Sequence, residues 1–302
     1  MTSSESKFLK LLRLCQPGLM ILTSLTYSLG AAMAYYLGRR FSWSLFLQGL
    51  LLILTIQFMG RCLLALAEFG TSQDAPRPSI FPPTTAFSGE AGLSHTALQY
   101  AAMTFLGLTA VQAAALVIQG SPATAWISLV LILLAAYFYA TPPLNLRSTG
   151  LGEIILAITA SLLPAYAFAL LTGTFHRYIL MTSIPIAALA LAAQIVLALP
   201  CYAYDRKRRR QNLLVRLDWA TGMLIHDVSI LAAVGGLAAA SLSGLPRQVA
   251  GGTLIAAPLA IVQILQMRRV QAGAPPRWKL FAYSAVSLYA LTVYLMLMGY
   301  IL

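Results

Sequence analysis

Residues 178–218, YILMTSIPIAALALAAQIVLALPCYAYDRKRRRQNLLVRLD, join a long apolar run to an abrupt cluster of charge. Residues 178–200 contain no acidic or basic residue. They are long enough to cross the hydrocarbon core of a membrane, which takes about 20 residues in a helix. The basic run 206–210 follows directly after Asp205. This pattern is typical of a transmembrane helix that ends in a charged loop at the membrane surface.

The composition of the whole chain agrees with a membrane protein. Of its 302 residues, 59% are hydrophobic and only 9% are charged, whereas roughly 25% are charged in a soluble domain. So few charges cannot cover the surface of a soluble protein of this length. The net charge of +12 is interpreted as an orientation signal in short loops, not as a nucleic-acid surface.

Nine apolar segments are long enough to be spans. They cover residues 17–38, 45–68, 95–119, 122–140, 151–172, 178–200, 222–243, 249–267 and 280–301. Helices satisfy their own backbone hydrogen bonds in lipid, and the alternating pattern of a barrel strand is not seen. The predicted fold is therefore all-α, with nine transmembrane helices around a central cavity in a single domain, residues 1–302.

The basic residues predict the orientation of these spans. With the N-terminus in the cytoplasm, 15 of the 20 basic residues fall on the cytoplasmic side and four on the other. Such a bias is the usual sign of the cytoplasmic face. The first apolar run lacks a clear cleavage site and is expected to be a retained helix. We expect an integral protein of a bacterial or archaeal-type cell membrane, with its C-terminus outside.

Two loops on the predicted cytoplasmic side are long, residues 69–94 and 201–221, and long connections are more often functional than short ones. Three carboxylates lie in or beside them, Glu68, Asp74 and Asp205. Carboxylates at one membrane face could hold Mg²⁺ with a diphosphate as co-ligand, and arginines 77, 147 and 206–210 could bind the phosphate oxygens. Alternatively, these residues are polar only because helix ends meet water.

Other polar residues within the spans permit two interpretations each. Arg61 lies inside the second span, where a charge is costly and usually functional, but it could also extend to the interface. Asp227 is expected to cap the start of the seventh span, with a proton relay through His226 as the alternative. The three cysteines, Cys15, Cys62 and Cys201, show no paired spacing, so neither a disulfide framework nor a zinc site is predicted.

Three stretches resemble the UbiA superfamily of intramembrane prenyltransferases. YATPPLNLRSTGLGEIILAI, residues 139–158, is similar to the family's segment before and into its fifth helix. SQDAPRP and FSGEAGLS, within residues 69–94, are similar to the loop after its first aspartate motif, and LLVRLD, residues 213–218, resembles the tail of its second. Nine helices with functional loops after the second and sixth complete the likeness.

The resemblance implies Mg²⁺ held by two acidic motifs, which binds an isoprenoid diphosphate and stabilises its departing charge. The first motif aligns with Leu64, Glu68 and Asp74, and the second with Cys201 and Asp205. Leu64 replaces an expected Asn and Cys201 an expected Asp, and a thiolate suits softer metals than Mg²⁺. Because these oxygen ligands are missing, the motifs are degenerate and Mg²⁺ affinity is expected to fall.

The sequence supports two functional hypotheses. In the first, the chain transfers an isoprenoid to an aromatic, quinone-precursor-like or other lipophilic acceptor, and Arg77, Arg147 and Arg206 bind the diphosphate. In the second, it is a catalytically lapsed homologue that binds a lipid, quinone or pigment, or serves as a subunit of a membrane complex. The retained GLGE stretch favours the first, and the lost Asn and Asp favour the second. A transporter is favoured least, since Arg61 alone supports it.

Overall fold

The apolar segments of the chain form long α-helices. A computed structural model describes residues 7–69, 78–81 and 92–302, and within these ranges there is no β-strand. The α-helices, in chain order, are α1 (Lys7–Leu14), α2 (Pro17–Tyr36), α3 (Trp43–Ala67), α4 (His95–Ile118), α5 (Ala123–Phe138), α6 (Gly152–Thr172), α7 (Arg177–Ala198), α8 (Tyr202–Lys207), α9 (Leu213–Leu217), α10 (Trp219–Leu242), α11 (Arg247–Thr253), α12 (Ala257–Gln271) and α13 (Trp278–Ile301).

The described helices confirm the predicted all-α membrane fold. Eight helical segments of the described ranges are long and apolar enough to cross a membrane, and α5, with 16 residues, is a shorter apolar helix. Two of the eight pass through a 3₁₀ turn. Leu199–Cys201 joins α7 to α8, and Leu254–Ala256 joins α11 to α12. The nine predicted spans thus correspond to eight full-length segments and one short helix.

The start of α10 differs from its prediction. Asp218 caps this helix, since its Oδ1 accepts a hydrogen bond from the Thr221 N–H at 2.8 Å. The predicted cap by Asp227 is therefore wrong. A short polar side chain directly before an apolar turn is the better N-cap, and Asp218 precedes one. Asp227 lies inside the helix, with Oδ1 3.0 Å from His226 Nδ1 and Oδ2 3.8 Å from Arg268 Nε.

Helices α6 and α7 form the centre of the bundle. Helix α6 packs against α2, α5 and α7, and helix α7 packs against α6, α10 and α13. The largest buried apolar cluster joins α2, α6, α7, α10 and α13, and a second joins α3, α5 and α6. Small residues permit close helix contacts within membranes. At Gly299 of α13, a side chain would lie 2.6 Å from the Cα of Val249 in α11.

Loops between different helices meet at one end of the bundle. The carboxylate of Glu68, directly after α3, contacts Arg147 between α5 and α6, and also Arg210 between α8 and α9. Cys201 Sγ donates a hydrogen bond to the Pro78 carbonyl at 3.5 Å. We call this the loop end. It holds the described parts of both long loops that the sequence singles out.

Candidate functional site

An ion-pair cluster centred on Glu68 ties three loops together at the loop end. Glu68 is only 7% exposed. Its Oε1 accepts a hydrogen bond from Arg147 Nη1 at 2.8 Å and lies 3.4 Å from Arg210 Nη1. Arg147 Nη2 also donates to the Ala67 carbonyl at 3.4 Å. We refer to Glu68, Arg147 and Arg210 as the Glu68 cluster.

The loop before α6 holds Arg147 in place through its own backbone. Arg147 lies in the 3₁₀ turn Leu146–Ser148, and its N–H donates to the Tyr139 carbonyl at 3.0 Å. Arg216 Nη1 donates to the Thr149 carbonyl at 2.8 Å. Gly150 has φ +78°, and a side chain there would lie 2.8 Å from Arg216 Cδ. Glycine therefore serves both the left-handed conformation and the close approach of Arg216.

Asp205 lies in a second hydrogen-bonded group at the same end. It is fully buried, and its Oδ2 accepts from Asn212 Nδ2 at 2.8 Å. Asn212 Oδ1 in turn accepts from the Val215 N–H at 2.8 Å and caps α9. The next N–H, of Leu213, donates to Glu153 Oε2 in α6 at 3.2 Å. Asn212 thus links the Asp205 carboxylate to the start of α9.

Arg210 brings the two groups together. Its N–H donates to the Asp205 carbonyl at 2.9 Å, while its guanidinium reaches Glu68. The side chains of Arg147 and Arg210 are 20% and 30% exposed, so their guanidiniums remain accessible from the loop end. Arg210 therefore touches both groups, Glu68 through its guanidinium and Asp205 through the backbone alone.

The other predicted site residues differ in their surroundings. Arg206 is exposed, and no side-chain hydrogen bond or ion pair of Arg206 is formed within the described part of the chain. Leu64 lies partly buried near the end of α3, and Cys201 is buried beside Pro78. Asp74 and Arg77 lie outside the described residues. Of the predicted metal ligands, the structure thus describes Glu68 and Asp205, each in its own hydrogen-bonded group at the loop end.

Sequence reasoning missed Asn212 as a site residue and did not single out Arg210 among the arginines it considered. Arg210 belongs to the basic run 206–210, in which nothing distinguishes one arginine from the next. Asn212 had a usable signal, because an Asn directly before the apolar residues 213–215 is typical of a helix N-cap.

Arg61 is engaged by the N-terminal helix. Its Nε donates to the carbonyl of Leu14, the last residue of α1, at 3.2 Å. Leu14 is fully buried in a cluster that also contains Cys62 and Leu98. A guanidinium on a helix C-terminus is favourable in charge as well as in hydrogen bonding. This contact favours an anchoring role for Arg61.

The described residues do not fit the Mg²⁺ that the resemblance implies. Mg²⁺ demands near-octahedral oxygen ligands. Glu68 Oε1 already contacts two guanidiniums, Asp205 accepts from Asn212, and Cys201 offers sulfur. Within residues 7–69, 78–81 and 92–302, no group of three or more His, Cys, Asp or Glu side chains is placed to hold a metal ion.

Two cavities adjoin the helices. A cavity of about 610 Å³ at the loop end is lined by Pro78, Ser79, Ile80, Pro200 and residues 277–280. It borders the site, since Pro78 contacts Cys201. A cavity of about 410 Å³ lies toward the opposite end, between α7, α10, α13 and the α11–α12 segment. Most of its lining is apolar, and its polar members are Ser241, Arg247, Thr253 and Thr292.

Solved structures of UbiA homologues have the same fold. A homologue from Archaeoglobus fulgidus bound to DMAPP and Mg²⁺ is 16% identical, with a TM-score of 0.68 over 95% of this chain and 99% of that chain. Digeranylgeranylglyceryl phosphate synthase is 14% identical, with a TM-score of 0.66 over 98% and 97%. An apo homologue from Aeropyrum pernix K1 is 13% identical, with a TM-score of 0.61 over 93% and 96%.

Comparisons of the sequence with known proteins and family models identify the family of the chain. None of the curated proteins compared with the chain matches it. Residues 92–297, well over half of the chain, match the model of the UbiA prenyltransferase family. The match includes Arg147, Asp205 and Arg210, and it begins after Glu68. The chain is therefore an integral membrane protein that belongs to the UbiA prenyltransferase family.

Proposed function

We propose that this protein transfers an isoprenoid from its diphosphate to an aromatic, quinone-precursor-like or other lipophilic acceptor within the membrane. The observation that carries the proposal is the Glu68 cluster, which presents two partly exposed guanidiniums at the loop end. Structures of the Archaeoglobus fulgidus homologue hold DMAPP or GPP together with Mg²⁺. This supports an isoprenoid diphosphate as the substrate class here.

The proposed reaction divides between the loop end and the helices. The allylic C–O bond breaks, diphosphate leaves with the electron pair, the acceptor forms a bond to the allylic carbon, and the acceptor loses a proton. Arg147 and Arg210 stabilise the charge that develops on the departing diphosphate. The apolar helices surround the isoprenoid chain and exclude the water that would otherwise capture the allylic cation.

The basic-residue bias supports an orientation with the loop end in the cytoplasm. In that orientation the diphosphate is released into the aqueous phase on the side where the N-terminus lies. The basic residues 206–209, which are exposed at the same end, raise the local positive potential and attract the anionic head of the substrate.

A transfer assay tests the proposal. Purified protein in nanodiscs is supplied with Mg²⁺, prenyl diphosphates of several lengths and a panel of phenolic and other lipophilic acceptors. We expect a product in which the prenyl group of the donor replaces one hydrogen of the acceptor. Inorganic pyrophosphate should form in an equal amount. Because Arg147→Gln removes a charged contact of about 1.5–3 kcal/mol, it should lower kcat/KM about ten- to a hundredfold.

The matched control is Arg269→Gln. Arg269 is an exposed arginine at the end of α12, and its replacement removes the same charge outside the Glu68 cluster. We expect its kcat/KM to match that of the unaltered protein. Folded protein that forms neither adduct nor pyrophosphate with any donor length would contradict the proposed activity.

A second candidate function is binding of a lipid, quinone or pigment without catalysis. The observation that favours it is the apolar cavity of about 410 Å³, together with the loss of oxygen ligands at Leu64 and Cys201. Mass spectrometry of lipids that copurify with the protein separates the two candidates. An isoprenoid diphosphate supports the transferase, and a neutral quinone or pigment without transfer activity supports the binding protein.

A further inference from the structure

The Glu68 carboxylate contacts arginines, and this bears on whether a metal ion or guanidiniums balance the charge of the diphosphate. In a metal-bound site, the carboxylates would be turned toward the ion. Here the Glu68 carboxylate is turned toward Arg147 and Arg210, at 2.8 and 3.4 Å. Asp205, the other described carboxylate of the motifs, is fully buried and accepts from Asn212. Of the two described carboxylates, Glu68 is therefore held by guanidiniums and Asp205 by an amide.

We propose that Arg147 and Arg210 take the place of the divalent metal, so that the diphosphate binds directly to their two guanidiniums. This inference rests on the proposed function, because it concerns the head group of the same substrate. It deepens that function by assigning metal-independent recognition of the diphosphate to two named residues.

The donor inventory of the two arginines permits this role. A guanidinium has five N–H donors in a planar fork that matches phosphate oxygens. The protein contacts of Arg147 use Nη1 and Nη2 once each, and Arg210 uses only Nη1. Several donors on each side chain therefore remain available, within the described part of the chain, for oxygens of a ligand.

Their arrangement favours a diphosphate over a single phosphate. Both guanidiniums contact the same Glu68 oxygen, so they lie side by side at one point of the loop end. Two adjacent phosphates can each contact one guanidinium, whereas a single phosphate can satisfy fewer of these donors. Two positive charges face one carboxylate in the cluster, and the surplus attracts an anion.

Glu68 has a defined role in this arrangement. It keeps the two guanidiniums side by side, but its negative charge also repels the phosphates. A glutamine would retain the oxygen that accepts from both arginines and would remove the charge. In a metal site the same substitution would remove a ligand, so the two mechanisms predict opposite effects for Glu68→Gln.

Binding of inorganic pyrophosphate is measured by isothermal calorimetry on the full chain in nanodiscs, with EDTA and separately with Mg²⁺. We expect the dissociation constant in EDTA to be at least as favourable as in Mg²⁺, and inorganic phosphate to bind more weakly. Arg147→Gln and Arg210→Gln should each weaken pyrophosphate binding about ten- to a hundredfold. Arg269→Gln is the matched control and should not change it.

Glu68→Gln should tighten pyrophosphate binding in EDTA, with the melting temperature measured to confirm folding. If that variant does not fold, the EDTA comparison and the two arginine variants decide. Loss of binding in EDTA, or unchanged binding in both arginine variants, would overturn the inference. Pyrophosphate binding without metal but without any prenyl transfer would leave the inference standing and contradict only the proposed function.

Discussion

Asn212→Leu is expected to destabilise the loop end and to abolish pyrophosphate binding. Asn212 makes two contacts that leucine cannot replace, a donor to the buried Asp205 and an acceptor for the Val215 N–H. Loss of an N-cap costs about 1 kcal/mol, and loss of a hydrogen bond to a charged group costs about 1.5–3 kcal/mol. Asp205 would in addition stay buried with one partner fewer, which is costly in itself.

The functional consequence follows from the position of Arg210. Its N–H binds the Asp205 carbonyl and its guanidinium binds Glu68, so a displaced Asp205 would move Arg210 away from the site. We expect a lower melting temperature together with loss of pyrophosphate binding. Both are measured on the same purified preparation.

Two matched variants separate the contacts of Asn212. Gln211→Leu makes the same kind of change, an amide replaced by leucine, at the exposed neighbouring residue. It should leave the melting temperature and pyrophosphate binding unchanged. Asn212→Ser keeps an oxygen that can cap α9 but removes the amide NH₂ that donates to Asp205, and the shorter hydroxyl cannot replace both contacts, so this variant should be intermediate in stability. Equal melting temperatures for Asn212→Leu and Gln211→Leu would contradict the role assigned to Asn212.

The spans could be predicted because length and apolar composition alone determine them. Residues 280–301 were expected to form the last span, and α13 covers Trp278–Ile301. The prediction was less accurate where a helix extends beyond its apolar part. Helix α12 continues through Arg268 and Arg269 to Gln271, past the predicted end at 267. Arginine is a good helix former, so the charge that ends an apolar run does not end the helix.

The contacts of the site could not be predicted in the same way. The ion pair of Glu68 with Arg147 joins residues 79 positions apart, and no periodicity links them. The choice between Arg206 and Arg210 depends on the turn after α8, where Arg209 has a left-handed φ of +54°. Arg206 lies within α8, before this turn, and is exposed, whereas Arg210 follows the turn and reaches Glu68. The family resemblance supplied the carboxylate positions and the sequence already singled out Arg147, but the pairing of Glu68 with Arg147 and Arg210 required the fold.

Gly30→Leu is expected to have the largest effect on the bundle itself. Gly30 lies in α2 against α6, and a Cβ there would overlap the Pro164 carbonyl oxygen and lie 2.9 Å from Ala167 Cβ. A carbonyl oxygen of a helix backbone cannot rotate aside, so α2 and α6 would have to separate. Overpacking in a core typically costs about 1–3 kcal/mol, and a backbone collision at a helix crossing should cost at least that much.

The matched control is Gly107→Leu in α4, where no atom lies within 4 Å of an added Cβ and the residue is exposed. Both substitutions gain helix propensity, by up to about 1 kcal/mol relative to glycine. The two variants should therefore differ in melting temperature in detergent, with a decrease at Gly30 and no decrease at Gly107. A Gly30→Leu protein as stable as Gly107→Leu would contradict the close contact of α2 and α6. Because α6 also continues from the loop that holds Arg147, separation of these helices should weaken pyrophosphate binding in the Gly30 variant alone.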